Sequence, residues 1–169
     1  IYFMHGNRDF MISSKICNKY GMELIDDPQL VNLYDKRVLL MHGDTLCVDD
    51  IKYQEFRKLV RNKSWQTQMM QKSLEERLKI ANDLRNKSAN ETTYKDEFIM
   101  DVNENEVKKC FVKSGADIII HGHTHRPMVH KVKIDDREFR RVVLGDWGSK
   151  SHIFVLDNKN FELKEIQLK

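Results

Sequence analysis

The stretch ADIIIHGHTHRP, residues 116–127, places three histidines within five positions directly after an apolar run. A short apolar run that stops at glycine is typical of a buried β-strand followed by a loop. Polar side chains in such a loop stand at the edge of a sheet, where α/β proteins commonly bind their ligands. The stretch therefore predicts a strand over 117–121 within an α/β fold, and a functional site at the end of that strand.

Two other segments repeat this layout. IYFMHGNRDF, residues 1–10, and RVLLMHGD, residues 37–44, are each an apolar run that ends in glycine and polar groups. They predict strands over 1–4 and 37–42. Asn7, Arg8 and His42 then belong to the ligand-binding edge of the sheet.

The rest of the chain completes a layered α/β fold with a mixed sheet. Later strands are predicted over 128–134, 140–145 and 152–156, and the first two flank a hairpin turn at DDRE. Helices are predicted over 13–20, 51–62, 65–85 and 103–114. The last has a capping residue at Asn103 and a stop signal at Gly115. Strands that alternate with helices early and follow one another late are typical of this fold class.

Composition excludes several protein classes. The chain has 169 residues, of which 40% are hydrophobic and 33% charged. Its longest apolar runs are too short to span a bilayer, and no secretory signal is visible. Cys17, Cys47 and Cys110 are odd in number and form no Cys-x-x-Cys pair, which favours buried thiols in a reducing cytoplasm.

Positive charge is concentrated in residues 51–87. This segment holds ten lysines or arginines against four acids, a net charge of +6, whereas the remainder is −3. Its apolar residues recur at helical spacing and predict one face of a helix. They are Met70, Leu74, Leu78, Ala81 and Leu84. Either a helical hairpin packs on the core, or a lid receives an apolar ligand and its basic face meets phosphate or anionic lipid.

The histidine loop predicts a metal site. His123 and His125 are two positions apart, and in extended backbone such side chains point the same way and can converge on one ion. His121 faces the opposite side and is predicted to be a hydrogen-bonded support. Imidazole and amide ligands without thiolate suit Mn²⁺, Fe or Zn²⁺. Carboxylate ligands are suggested only by proximity, at Asp9, Asp44, Asp49, Asp50 and Asp146.

Taken together, these motifs resemble a known family. The Gly-Asn after the first strand, His-Gly-Asp at 42–44 and Gly-His-Thr-His at 122–125 are similar to the second half of the calcineurin-like metallophosphoesterase pattern. Arg8 stands where most of that superfamily has histidine. This arginine and the stretches HGDTLCVDD, IMDVN and VVLGDW together resemble the UDP-2,3-diacylglucosamine hydrolase family within that superfamily. The resemblance covers essentially the whole chain.

The resemblance implies a fold and a set of ligands. The fold would be a layered β-sandwich flanked by helices, one domain over 1–169 with a helical lid insert at 51–87. Asn7, His42 and His123 would bind one Mn²⁺ of a pair, and His125 the other. The remaining ligands, two aspartates and a histidine, would come from sequence upstream of Ile1, with the missing N-terminal strands. A chain that opens on a buried strand independently suggests such upstream sequence.

It also implies substrate contacts. Arg8 and His123 would act in catalysis, and Asn7, Asp50, Ser88, Thr92 and Lys95 would join them in binding substrate. Thr92 stands where the family commonly has asparagine, and its hydroxyl can still form a hydrogen bond. No protein nucleophile is expected, because two metal ions can activate a water molecule.

The implied activity is hydrolysis of the pyrophosphate bond of UDP-2,3-diacylglucosamine to UMP and 2,3-diacylglucosamine 1-phosphate (lipid X), in lipid A biosynthesis. The implied partners are this lipid nucleotide and the cytoplasmic face of the inner membrane, on which the protein would be peripheral, and no nucleic acid. Two alternatives remain open: another calcineurin-like phosphodiesterase or nucleotide pyrophosphatase, and a non-catalytic scaffold on the same fold.

Overall fold

The computed structural model describes residues 1–93 and 101–168, and the side chains of all of these except 87–93. The chain divides into two compact units. The sheet unit comprises Ile1–Leu46 and Val102–Lys169, and the helical unit comprises Cys47–Asp101. The predicted single domain with a lid insert at 51–87 remains a prediction.

Strands and helices alternate early in the chain and strands dominate late, as expected. In chain order the elements are β1 (Tyr2–Met4), α1 (Ser14–Lys19), β2 (Glu23–Ile25), β3 (Gln29–Leu33), β4 (Lys36–Met41), a short 3-10 helix (Asp44–Leu46), α2 (Ile51–Val60), α3 (Lys63–Gln71), α4 (Leu74–Thr93), α5 (Glu104–Ser114), β5 (Ile118–His121), β6 (Met128–Ile134), β7 (Arg137–Val143), β8 (Lys150–Leu156) and β9 (Phe161–Gln167).

A five-stranded mixed sheet forms the centre of the sheet unit, in the order β3-β4-β5-β7-β6. β4, β5 and β7 run parallel, whereas β3 and β6 are antiparallel to their neighbours. β1 pairs in parallel with β2, and β8 pairs with β9 in a separate hairpin. The predicted α/β class and mixed sheet are thereby confirmed.

Side chains along the central strands alternate between the two faces of the sheet, and each face is covered by a layer. Leu39 and Ile119 pack with Phe111 of α5 on one face of the sheet. Their neighbours Val38 and Ile118 face the other way and pack against the β8–β9 hairpin. Successive side chains of a strand point to opposite faces, so strands apolar at both positions become buried between two layers.

Sequence reasoning missed β2, β3 and β9. β2 has only three residues, too few to show a period. β3 turns back into β4 through Tyr34 and Asp35, both with positive φ (48° and 61°), a turn usually marked by Asn-Gly. β9 follows a turn in which Asp157 accepts hydrogen bonds from the backbone of Lys159 and Asn160.

The prediction of a single helix over 65–85 is wrong, because this segment belongs to two helices, α3 and α4. Ser73 and Glu76 form a capping box between them. The Ser73 N–H donates to Glu76 Oε2 at 2.8 Å, and the Glu76 N–H donates to Ser73 Oγ at 3.2 Å. Ser-x-x-Glu is a start signal for a helix, so the start of α4 was predictable from the sequence.

The apolar residues of these helices are largely exposed. Leu74 and Leu78 retain 66% and 56% of their accessible surface, and Met70 retains 60%. Val60 is the contrasting case, at 2%. Of the two alternatives for this face, packing on a core does not describe Met70, Leu74 and Leu78. None of the helices described combines the length and apolar composition needed to cross a bilayer.

Candidate metal centre

The carboxyl ends of β4 and β5 bring the second and third motifs together. The strands are parallel neighbours, and Met41 stands opposite His121 at their last pair. One residue further on, the Gly122 N–H donates to the carbonyl of His42 at 3.0 Å. His42 and His123 therefore leave adjacent strands at the same edge of the sheet.

The imidazoles of His42 and His123 are in contact. Their ring centroids are 4.9 Å apart and the ring planes meet at 69°. His42 Nε2 and His123 Nδ1 are both shielded from water. Two imidazoles so arranged can provide adjacent nitrogen ligands to one metal ion.

The loop after β1 lies against the same imidazole. A Cβ atom built on Gly6 would lie 3.2 Å from Cε1 and 3.4 Å from Nδ1 of His42. The loop is held by Asp9, whose Oδ1 accepts the Gly6 N–H. Asn7, the next residue, is half-buried, and Arg8 is exposed. The first motif therefore also reaches the His42–His123 pair.

The prediction of extended backbone at His123 and His125 is wrong. β5 ends at His121, and both later histidines adopt left-handed backbone, with φ of 64° and 54°. The loop turns sharply, which the Thr124 N–H to Gly122 carbonyl bond of 2.8 Å shows. His125 is exposed, whereas His123 is half-buried against His42. Residues with positive φ are not in strand conformation. The spacing of His123 and His125 therefore does not determine which way their side chains point.

His121 is a structural histidine, as predicted. It is buried, its Nδ1 lies 2.9 Å from the Gly122 carbonyl, and Arg141 Nη1 lies 3.0 Å from its Nε2. Arginine can only donate, so Nε2 accepts and Nδ1–H donates to the carbonyl. Burial is the main cause that lowers the His121 pKa from 6.5 to about 4. The ring is therefore neutral at pH 7.

The carboxylates proposed by proximity have different surroundings. Asp44 is fully buried at the start of the 3-10 helix, whereas Asp49 and Asp146 are exposed. Sequence reasoning missed Asp27, whose Oδ1 accepts the N–H of His42 at 2.9 Å. The only sequence signal at Asp27 is its position before Pro28. That position indicates a turn or an extended segment and does not predict a contact with a distant strand.

The donor types at this edge fit a divalent metal. Imidazole nitrogen from His42 and His123, with the amide oxygen of the adjacent Asn7 loop, suits Mn²⁺, Fe or Zn²⁺. Within residues 1–93 and 101–168, however, no three His, Cys, Asp or Glu side chains form a group able to hold a metal ion. The His42–His123 pair therefore needs additional donors to complete a coordination shell.

Of the other predicted substrate residues, Asp50, Ser88 and Thr92 lie in the helical unit. Asp50 caps α2 by accepting the Tyr53 N–H at 3.1 Å and is 9% exposed. Ser88 and Thr92 lie on α4, but their side chains fall outside the described part. Lys95 lies outside the described residues altogether. Their predicted substrate contacts remain predictions.

Known proteins are similar to this chain in sequence. The profile of the calcineurin-like phosphoesterase family matches residues 1–127. The chain is 44% identical over 161 residues to the UDP-2,3-diacylglucosamine hydrolase of Histophilus somni (strain 2336), covering 95% of this chain and 68% of that protein. It is 45% identical over 167 residues to the hydrolase of that name from Chromohalobacter salexigens, covering 98% and 68%. The match to the hydrolase of that name from Pseudomonas entomophila is 42% over 163 residues, covering 96% and 68%.

The family match includes all three motifs of the candidate centre, from the Gly6 loop through His42 to His125. These are the segments that the sheet gathers at one edge. The chain belongs to the calcineurin-like phosphoesterase family.

Proposed function

We propose that this protein hydrolyses the pyrophosphate bond of UDP-2,3-diacylglucosamine, releasing UMP and 2,3-diacylglucosamine 1-phosphate in lipid A biosynthesis. The observation that carries the proposal is the contact between the His42 and His123 rings, beside the Gly6 loop, in a chain similar to hydrolases of that name over 95% of its length. The reaction adds one water across the P–O–P bond and needs no redox partner.

The metal in this proposal is a pair of Mn²⁺ ions. Asn7, His42 and His123 would hold one ion, and His125 would hold the other. Metal ions at such a site lower the pKa of a bound water and stabilise the charge that develops on the phosphoryl oxygens. One amide oxygen and three imidazole nitrogens without a thiolate are compatible with Mn²⁺ and disfavour metals that prefer thiolates.

Arg8 would bind the phosphoryl group that is attacked. Its guanidinium is permanently charged and planar, so it can donate two hydrogen bonds to phosphate oxygens. The side chain is exposed and lies within the loop that is closed by the hydrogen bond from the Gly6 N–H to Asp9 Oδ1. Arg8 would thereby orient the phosphate and stabilise its added negative charge.

The helical unit would bind the acylated end of the substrate. Leu74, Leu78 and Met70 are exposed, within the segment 51–87 of net charge +6. Exposed apolar side chains among cations suit a lipid with an anionic head group, and they suit peripheral binding at the cytoplasmic face of the inner membrane. Ser88, Thr92 and Lys95 would contact the glucosamine and its phosphate, and Asp50 would also contact the substrate.

The central test replaces His123 with alanine in the full-length protein. We expect bound manganese, measured by elemental analysis, to fall by at least half, and hydrolysis of UDP-2,3-diacylglucosamine to fall by at least about a hundredfold. His130→Gln is the matched control, because His130 is also half-buried but lies on β6. We expect it to retain activity within about threefold of the parent.

Activity of His123→Ala within tenfold of the parent would contradict the metal assignment. A water-soluble UDP-sugar tests the substrate assignment separately. If the parent cleaved it as efficiently as the diacylated substrate, the protein would instead be a more general nucleotide pyrophosphatase.

A further inference from the structure

A fourth loop begins at the same sheet edge as the candidate metal centre. β7 is the parallel neighbour of β5, and Val143 stands opposite His121 at their last pair. Directly after it, the Leu144 N–H donates to the His121 carbonyl at 2.7 Å. The loop over 144–149 therefore leaves the sheet beside the strand that leads into His123.

This loop is fastened near both ends. A Cβ atom on Gly145 would lie 2.5 Å from His152 Nδ1, so only glycine lets the backbone approach that ring. At the far end the Gly148 N–H donates to the Lys150 carbonyl at 3.2 Å, and the Ser149 carbonyl accepts the Leu168 N–H at 3.1 Å. The segment between them is a short anchored arch.

Trp147 lies on this arch with 74% of its surface exposed. Tryptophan is usually mostly buried, and leaving so large a ring in water forgoes a substantial hydrophobic gain. An exposed ring on a loop that leaves the sheet at the same edge as the candidate metal centre can serve as a stacking surface, and aromatic side chains stack on nucleobases of any kind.

We propose that Trp147 stacks on the uracil ring of the substrate and so contributes to recognition of the nucleotide half. The neighbouring Asp146 is also exposed, and its negative charge disfavours a phosphate at this position while tolerating an uncharged ring. This inference rests on the proposed function, because it assigns the uridine end of the same substrate.

The test compares the binding of UMP and ribose 5-phosphate to the full-length, manganese-loaded protein by calorimetry. Both ligands carry the same phosphate, and only UMP carries the base. We expect the parent to bind UMP at least about tenfold more tightly, and Trp147→Ala to reduce that preference at least about fivefold. Trp147→Phe keeps an aromatic ring and should retain the preference within about twofold, whereas Trp147→Leu should behave like alanine.

Tyr34→Ala is the control, because Tyr34 is a half-exposed aromatic in the turn before β4, at the opposite end of that strand from His42. It should leave the preference unchanged. If Trp147→Ala keeps the UMP preference, or if phenylalanine and leucine behave alike, the stacking role is overturned. Failure of the parent to hydrolyse UDP-2,3-diacylglucosamine would instead overturn the proposed function, and the binding ratios would report on Trp147 independently.

Discussion

The sheet unit and the helical unit differ in how much of their apolar surface they bury. In the sheet unit Val38, Ile119 and Val142 have no exposed surface, and Phe111 has 1%. Among the described side chains of the helical unit, Val60 and Cys47 are the buried apolar residues, whereas Leu59, Met70, Leu74 and Leu78 are all more than half exposed.

Buried apolar residues of the sheet unit contribute to stability, whereas exposed apolar residues of the helical unit are available for binding. A sheet that is apolar on both faces requires a layer on each side, and α5 and the β8–β9 hairpin provide them. The loops at its edge can then be held rigidly. Helices that leave leucines exposed gain little stability from them, which leaves those side chains available to an apolar ligand.

The largest expected effect comes from Phe111→Ala. Phe111 of α5 packs on the sheet and its ring centroid lies 5.0 Å from that of Phe139. Loss of a buried phenylalanine leaves a cavity and should lower the free energy of unfolding by about 3–5 kcal/mol. Urea denaturation of the parent and the variant measures the difference. A change below about 1 kcal/mol would mean that α5 is not part of the core.

The second prediction concerns pH and His121. Its folded pKa of about 4 lies below the ordinary value of 6.5, because burial disfavours the imidazolium ion. The unfolded chain therefore binds the proton more tightly, and this contribution to stability is present above pH 6.5 and lost as the pH falls towards 4. It should amount to about 3 kcal/mol.

Metal-free parent and His121→Gln should be unfolded with urea at pH 7 and pH 4.5. Other groups titrate in both proteins, so the relevant quantity is the difference between their pH dependences. We expect the parent to lose more stability than the variant. Equal losses would show that His121 is not a buried neutral imidazole.

The third prediction concerns the break between α3 and α4. Ser73→Ala removes the hydroxyl that accepts the Glu76 N–H, and it should lower the free energy of unfolding by about 1 kcal/mol. Ser64→Ala is the control, because Ser64 is an exposed serine inside α3. If both variants lose the same stability, the capping box does not define the start of α4.

The smallest stability effect is expected for the double variant Leu74→Ser and Leu78→Ser. Both side chains are more than half exposed, so the free energy of unfolding should change by less than about 0.5 kcal/mol each. The KM for UDP-2,3-diacylglucosamine should nevertheless rise about tenfold or more, through loss of apolar contact with the acyl chains. An unchanged KM, or a rise equal to that for a water-soluble UDP-sugar, would remove these leucines from the lipid site.

Prediction from sequence succeeded where a local pattern is compatible with only one kind of secondary structure. The apolar runs before Gly43 and Gly122 became β4 and β5, and α5 runs between its expected cap at Asn103 and stop at Gly115. It failed where the outcome depends on distant partners. Three-residue β2 exists because β1 lies beside it, and the contact between Asp27 and His42 joins residues 15 positions apart.

The sequence by itself determined the strands other than β2, β3 and β9, the α/β class and the candidate ligands, because hydrophobic period and turn chemistry act over a few neighbouring residues. Only the tertiary structure decided how the ligands are directed. Left-handed backbone at His123 and His125 turns the loop, and strand register places His123 against His42. Register and loop direction follow from packing and hydrogen bonds between separate segments, which no local pattern records.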